Sequence, residues 1–165
     1  LNVYGLSKLK GEELVLNNCS LSLIIRTSWV YSEYGSNFVK TMLQLFKERE
    51  SINVVNDQYG CPTYAADLAE VIMQFIERTQ NKEEYTGIVN YSNSGVTTWY
   101  DFALAIKYFA NSPCKIFPVD TSQYKTAAKR PQHSVLDTSK IKQLIKVDIP
   151  FWKYSLQKCL QILNG

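Results

Sequence analysis

The chain has 165 residues, 45% of them hydrophobic and 20% charged, with 18 Lys and Arg against 15 Asp and Glu, 7 Gly and 5 Pro. A polymer of this length buries roughly two-thirds of its unfolded surface and can build a core without metal or disulfide staples, which excludes disordered, collagen-like and low-complexity classes. The formal net charge of +3 comes without a run of Lys or Arg longer than two, so it gives no electrostatic footprint for nucleic acid, while a small anionic ligand remains compatible with it.

The elements follow in chain order. A helix is predicted over about 6–17, stopped at Asn17-Asn18, whose side chains tolerate a left-handed turn. Leu21 to Val30 carries Leu, Ile, Ile, Trp and Val with little alternation, the pattern of a strand buried on both faces of a parallel sheet. Gly35-Ser36-Asn37 reads as a turn and N-cap ahead of the stripe Phe38, Met42, Leu45 and Phe46. Ile52–Val55 is a short strand, and 56–63 a loop by its Gly, Pro and Asn content. Leu68, Val71, Ile72, Phe75 and Ile76 fit the i, i+3, i+4, i+7, i+8 template, predicting a helix near 65–79. After a polar connection at 80–84, a strand is expected over Gly87–Tyr91. Thr98-x-x-Asp101 resembles a capping box that opens a helix over about 98–110. Lys115–Val119 is a strand, 120–134 an irregular stretch, and Pro150 the opening turn of a last helix burying Trp152, Leu156, Cys159, Leu160 and Leu163. Strands alternating with helices predict an α/β fold.

The longest apolar runs, such as Leu21–Ile25, stop far short of the roughly 20 residues a membrane span needs, and no signal-peptide pattern opens the chain; a cytoplasmic protein is expected, with neither membrane nor nucleic acid as partner. Cys19, Cys61, Cys114 and Cys159 form no Cys-x-x-Cys pair and His133 is the single histidine, so no zinc site is expected and the cysteines are read as reduced core residues. The first residue is Leu rather than Met, and the sequence enters at once into Val3-Tyr4-Gly5-Leu6-Ser7-Lys8. A fragment of a longer protein is therefore expected.

Tyr4 and Lys8 stand four apart on a predicted helix, so both project from one face. A free tyrosine, with a pKa near ~10, is a poor acid–base group at neutral pH, but a nearby ammonium favours its phenolate. Such a tyrosine can give a proton to an oxygen that gains charge as hydride arrives. The spacing alone has little specificity, because Tyr154 and Lys158 repeat it on an amphipathic helix, where they read as a solvated face.

Five ordered motifs carry more. Tyr4-Gly5-Leu6-Ser7-Lys8-Leu9-Lys10-Gly11-Glu12, Arg26-Thr27-Ser28-Trp29-Val30-Tyr31 with Gly35-x-Asn37-Phe38-Val39, Asp57-Gln58-x-Gly60-x-Pro62-Thr63, Ser94-Gly95 leading to Trp99-Tyr100-x-Phe102-Ala103, and Arg130-Pro131 leading to Ser134-Val135-Leu136-Asp137 span nearly the whole chain. Together they resemble the dTDP-4-dehydrorhamnose reductase family, in the extended branch of the short-chain dehydrogenase/reductase superfamily. The resemblance implies the C-terminal part of an NAD(P)-binding Rossmann-type fold plus a smaller α/β substrate-binding domain. Residues 1–34 would be a remnant of the cofactor domain and 35–165 mainly the nucleotide-sugar domain. The family's Gly-rich phosphate turn and its catalytic Ser/Thr have no counterpart here, since no Gly-x-Gly occurs in the chain. The fragment itself is expected to be inactive, and the contacts that discriminate NADPH from NADH would lie upstream.

The resemblance also assigns roles. Tyr4 would protonate the C4 oxygen of a 4-keto sugar as hydride from NADPH or NADH reaches C4, and Lys8 would lower the Tyr4 pKa and hold the nicotinamide ribose. Thr27 and Ser28, at the C-terminal end of the strand, would meet the nicotinamide, or simply cap the strand end. Trp29 would line the sugar pocket or serve the core. Asn37 would cap its helix or reach the phosphates of a dTDP-sugar. Arg130 matches a diphosphate through bidentate hydrogen bonds, and Gln58 and Pro62 border the nucleotide pocket. Tyr31, Trp99, Tyr100 and Phe102 read as packing residues, and His133 as structural. An unpaired edge of the 21–30 strand invites pairing with a second copy, a homodimer. Two other readings stay open: a non-catalytic binding protein of the same fold, and another nucleotide-sugar reductase or epimerase.

Overall fold

A computed structural model describes residues 3–81, 84–123 and 130–164. Helix α1 (Val3–Asn18) leads into β1 (Leu23–Arg26) and, after a three-residue break, β2 (Val30–Tyr31). Then come α2 (Phe38–Glu48), β3 (Ser51–Val55), β4 (Tyr59–Gly60), β5 (Thr63–Tyr64) and α3 (Ala65–Gln80). The second half holds β6 (Gly87–Asn90), β7 (Thr97–Thr98), α4 (Trp99–Phe109), β8 (Lys115–Val119), a 3-10 turn at Thr121–Gln123, α5 (Ser139–Ile145) and α6 (Trp152–Asn164). The strands pair two by two: β1 with β6, β2 with β5 and β3 with β8 in parallel, and β4 with β7 antiparallel. Parallel partners joined through helices are what the α/β pattern of the sequence demands.

Two cores form. The larger gathers Tyr31, Val39, Met42, Phe46, Phe102 and Ile106 with Trp152, Leu156 and Leu160, so α2, α4 and α6 close over the β3–β8 pair. The smaller packs Val71 and Phe75 of α3 and Ile141 and Ile145 of α5 against Val89 and Tyr91, with Leu23 and Ile25 of β1 at its margin. A buried polar hub sits where α3, the segment after β6 and α6 meet. The Asn93 amide donates to Asp67 Oδ2 at 2.6 Å and accepts from the Tyr64 backbone N–H, and the Ser155 hydroxyl donates to the same Asp67 oxygen. Ser94 ties the C-terminal segment down: its N–H donates to Pro150 O and its carbonyl accepts from Trp152 N. Gly95, at φ +92°, lies so close to Phe151 that a Cβ would stand 2.2 Å from the ring, which is why the Ser94-Gly95 motif needs glycine.

Several expectations are met and several corrected. α2, α3, α4, β3, β8 and α6 lie where periodicity places them, and the Thr98 hydroxyl accepts from Asp101 N while donating to Asp101 Oδ2. The 21–30 strand ends at Arg26, because Trp29 takes φ +49° and breaks the extended run; β1 is half-buried with one strand partner among the described residues, not covered on both faces. Helix α1 ends without a left-handed residue at Asn17 or Asn18; the Asn18 side chain instead donates to Leu14 O. The 56–63 loop contains β4 and β5, and the irregular 120–134 stretch contains the 3-10 turn and a bridge from His133 to Tyr59, its residues 124–129 lying outside the described residues, as do 82–83 of the polar connection. Helix α5 has no counterpart in the periodicity reading. All four cysteines are free, but Cys19 is exposed, so only Cys61, Cys114 and Cys159 are core residues. Among the described residues no helix is long and apolar enough to cross a membrane, and no group of His, Cys, Asp and Glu is placed to hold a metal.

Candidate active site

Two cavities hold most of the residues at issue. The first, of about 750 Å3, lies between α1 and the end of β1 and is lined by Tyr4, Ser7, Lys8, Glu12, Arg26, Thr27 and Leu136. One helical turn separates Tyr4 and Lys8, and the Lys8 ammonium sits 5.6 Å from the centre of the Tyr4 ring. Tyr4 is 69% exposed, so its hydroxyl is accessible from the cavity. Across the floor, Arg26 donates in bidentate fashion to Glu12, and that contact holds the Glu12 carboxyl below the usual carboxylate range. The pair fixes α1 to β1 and thereby the height of Tyr4 over the strand end.

Beyond Arg26 the chain leaves the strand through a chain of hydroxyls. Thr27 Oγ1 donates to Thr63 Oγ1 at 3.1 Å, Thr63 Oγ1 donates to Ser28 O at 2.6 Å, and Ser28 Oγ donates to Cys61 O at 2.8 Å. Ser28 is thus committed to the backbone of the Cys61-Pro62 turn. Pro62 is buried there, between β4 and β5. Thr27 remains exposed toward the first cavity.

The second cavity, of about 220 Å3, is lined by Phe38, Thr41 and Leu45 of α2, Asn53 to Val55 of β3, and Gln58, Trp99 and Arg130. Its walls are mostly apolar and its polar groups few and convergent, the composition of a small-molecule pocket. Gln58 is buried and donates from Nε2 to Thr121 Oγ1, while Asp57 accepts from the Thr121 N–H and hydroxyl. Those bonds hold the Asp57 carboxyl below its ordinary value, the side-chain bond from Thr121 being the larger cause. Tyr59 secures the other side of the same segment: its N–H donates to Gln132 O, its carbonyl accepts from Ser134 N, and its ring stacks on His133 at 5.2 Å. Arg130, exposed at the cavity rim, therefore stands close to an anchor point of its segment.

At the wall of the second cavity Trp99 stacks on Trp29, the indole centres 3.6 Å apart and the planes 11° from parallel. Trp99 leans in turn on Phe38 at 4.6 Å. One face of Trp29 is therefore taken.

Of the residues singled out from sequence, Tyr4, Lys8 and Thr27 meet in the first cavity, and Gln58 and Arg130 in the second. Ser28, Trp29, Asn37 and Pro62 line neither; the Asn37 amide caps α2 through Lys40 N and donates to Ser32 O, so it is occupied by the turn, and the Trp29 ring is stacked on Trp99. Trp99 and Tyr100, read as packing, pack against the larger core, Trp99 also lining the second cavity, and Tyr31 and Phe102 are core. Leu136 was also missed as a lining residue; its place in the Ser134-Val135-Leu136-Asp137 motif was the available signal. Tyr154 and Lys158 are exposed on α6, a solvated face as expected.

A helix with the Tyr-x-x-x-Lys spacing beside the end of a parallel strand defines an α/β protein of the Rossmann-related dehydrogenase type. The chain belongs to the RmlD substrate binding domain family, which it matches over residues 1–164. It is 41% identical to dTDP-4-dehydrorhamnose reductase of Escherichia coli K12 over 99% of this chain and 56% of that protein. It is 40% identical to the spore coat polysaccharide biosynthesis protein SpsK of Bacillus subtilis, over 96% of this chain and 54% of that one. Its structure superposes on the dTDP-4-dehydrorhamnose reductase of Bacillus anthracis, solved in complex with NADP, with a TM-score of 0.90 at 38% identity, covering 98% of this chain and 55% of that one. The chain thus spans little more than half the length of the relatives it matches.

Proposed function

We propose that the protein to which this chain belongs reduces dTDP-4-dehydro-L-rhamnose to dTDP-L-rhamnose with NADPH or NADH, a step toward surface polysaccharide, and that this chain alone is inactive. The observation that carries the reading is the Lys8 ammonium over the Tyr4 ring, at the mouth of a cavity whose other wall is the end of β1. The cavity groups fit a nicotinamide ribose: the exposed Lys8 ammonium and the Tyr4 phenol can donate, and the Thr27 hydroxyl, whose proton goes to Thr63 Oγ1, offers lone pairs. A dinucleotide bound there would supply hydride to the sugar carbonyl carbon. Tyr4 donates its hydroxyl proton to the carbonyl oxygen, giving the secondary alcohol, and Lys8 stabilises the phenolate left behind. Ser28, whose own proton is directed to Cys61 O, offers lone pairs only.

In this reading residues 1–34 belong to the cofactor-binding layer and 35–165 mainly to the substrate domain, a division supported by α1 burying none of its described side chains. Arg130 pairs with the diphosphate, and Gln58 and the apolar wall of the second cavity hold the nucleoside, with Trp29 against the hexose and Asn37 and Pro62 shaping the turns around them. A cytoplasmic setting belongs to the same reading, and β1, which has one strand partner among the described residues, is where a second copy would pair. The test is turnover by the full-length protein and its Tyr4→Phe variant with the keto sugar and NADPH; retention of normal turnover by the variant would overturn the assignment.

A further inference from the structure

Trp29 is a non-glycine residue at φ +49°, a conformation that side chains rarely adopt and that persists only where the surroundings over-determine it. Three features do so here. Its carbonyl accepts from Thr63 N at 3.2 Å. Its indole lies on Trp99. And it lies against Gly60, where a Cβ would stand 2.5 Å from Trp29 Cε2 and 2.6 Å from Cζ2. The last two have one origin: β4 pairs with β7 in the register Gly60↔Thr97 and Tyr59↔Thr98, so a two-residue ladder delivers both the glycine against the ring and the helix start that carries Trp99 onto it. The Thr98 capping box then sets where α4 begins.

We propose that Trp99, which lines the second cavity, is a positioning residue that by stacking holds the strained Trp29 indole, two residues beyond Thr27 of the first cavity, and so sets where a hexose lies relative to Tyr4. The proposal rests on the reductase reading above. Trp99 acts through Trp29 rather than on the reacting atoms. The strain in Trp29 makes the support necessary, because without the stack the residue gains by relaxing to negative φ and carrying its ring away.

A double-mutant cycle in the full-length protein tests this, with Trp99→Leu filling the site without a ring and Trp99→Phe keeping one. The near-ultraviolet circular dichroism couplet of a face-to-face indole pair is the structural readout, the chain having three tryptophans. Trp99→Leu is expected to abolish the couplet and lower kcat for the keto sugar about tenfold to a hundredfold, the scale of a small misplacement of a reacting group. Trp99→Phe restores most of kcat. The double variant Trp29→Ala with Trp99→Leu matches Trp29→Ala alone within about twofold, since the second change has nothing left to displace. Multiplicative losses, or a Trp99→Leu kcat within twofold of wild type, would overturn the proposal while leaving the reductase reading in place. A wild-type full-length protein without turnover would overturn both.

Discussion

The two cavities are built in opposite ways. Around the first, α1 presents Val3, Tyr4, Leu6, Leu14 and Val15 outward and buries none of its described side chains, so the Tyr4–Lys8 pair stands on an open face held mainly by Glu12 and Arg26. The second is enclosed by α2, β3, α4 and the segment around Thr121, each of which belongs to the larger core or is bonded to its edge. The difference is one of range: the Tyr4–Lys8 pair is set by local helix geometry, whereas the second cavity requires long-range assembly.

The largest effect that could break this comparison is on chemistry. Tyr4→Phe in the full-length protein is expected to lower kcat by about 10³-fold or more, within the range general acid–base groups command, with little change in nucleotide affinity. Steady-state kinetics alongside calorimetric titration with dTDP would show it. Recognition answers next. Arg130→Ala is expected to weaken dTDP binding to this 165-residue chain by about 10–100-fold, the worth of a charged hydrogen bond of ~1.5–3 kcal/mol. If dTDP binds this chain and the variant equally, Arg130 is a solvated arginine and the second cavity is not the diphosphate site.

Smaller effects sharpen the contrast. Gly60→Ala forces its methyl into Trp29 and Ser134, an overpacking cost of about 1–3 kcal/mol, visible as a lowered urea midpoint at unchanged slope. The smallest is an acid effect at Asp57. Its folded-state pKa lies below its unfolded value, so its bond to Thr121 contributes fully above pH ~4 and is lost as pH falls through the folded value. The midpoint difference between wild type and Asp57→Asn should accordingly shrink below pH ~4; a constant difference down to pH 2 would mean that the Thr121 contact adds nothing through ionisation.

Legibility in the sequence followed the range of the forces involved. Helix α3 is written in the i, i+3, i+4 spacing of Leu68, Val71, Ile72 and Phe75, and α4 in the local reciprocity of Thr98 and Asp101, so both could be read from neighbouring residues. The two-residue strands β2, β4 and β5 have no periodicity to detect; they exist because distant partners supply their hydrogen bonds. Helix α5 was hidden by its seven-residue length, although Asp137 Oδ1 accepting from Ser139 N and the Ile141–Ile145 spacing were its local traces. In the site, Tyr4 and Lys8 were readable because one helical turn decides their proximity. Trp99 was not, since an aromatic at a helix start looks the same whether it faces a core or a cavity. Nor was the left-handed Trp29, a conformation that composition leads one to expect of glycine.

The strand registers have a consequence in time. Leu23 pairs with Gly87 and Ser51 with Lys115, so each of these parallel ladders closes over a span on the order of sixty residues. At synthesis rates of about 5–20 residues per second, the first strand of each pair waits for about 3–13 s before its partner has been made. High sequence separation slows folding further. Through that interval the β1 edge that meets β6 and the β3 edge that meets β8 stand without those partners, and the wall that β3 gives the second cavity lacks its β8 support until β8 has been made.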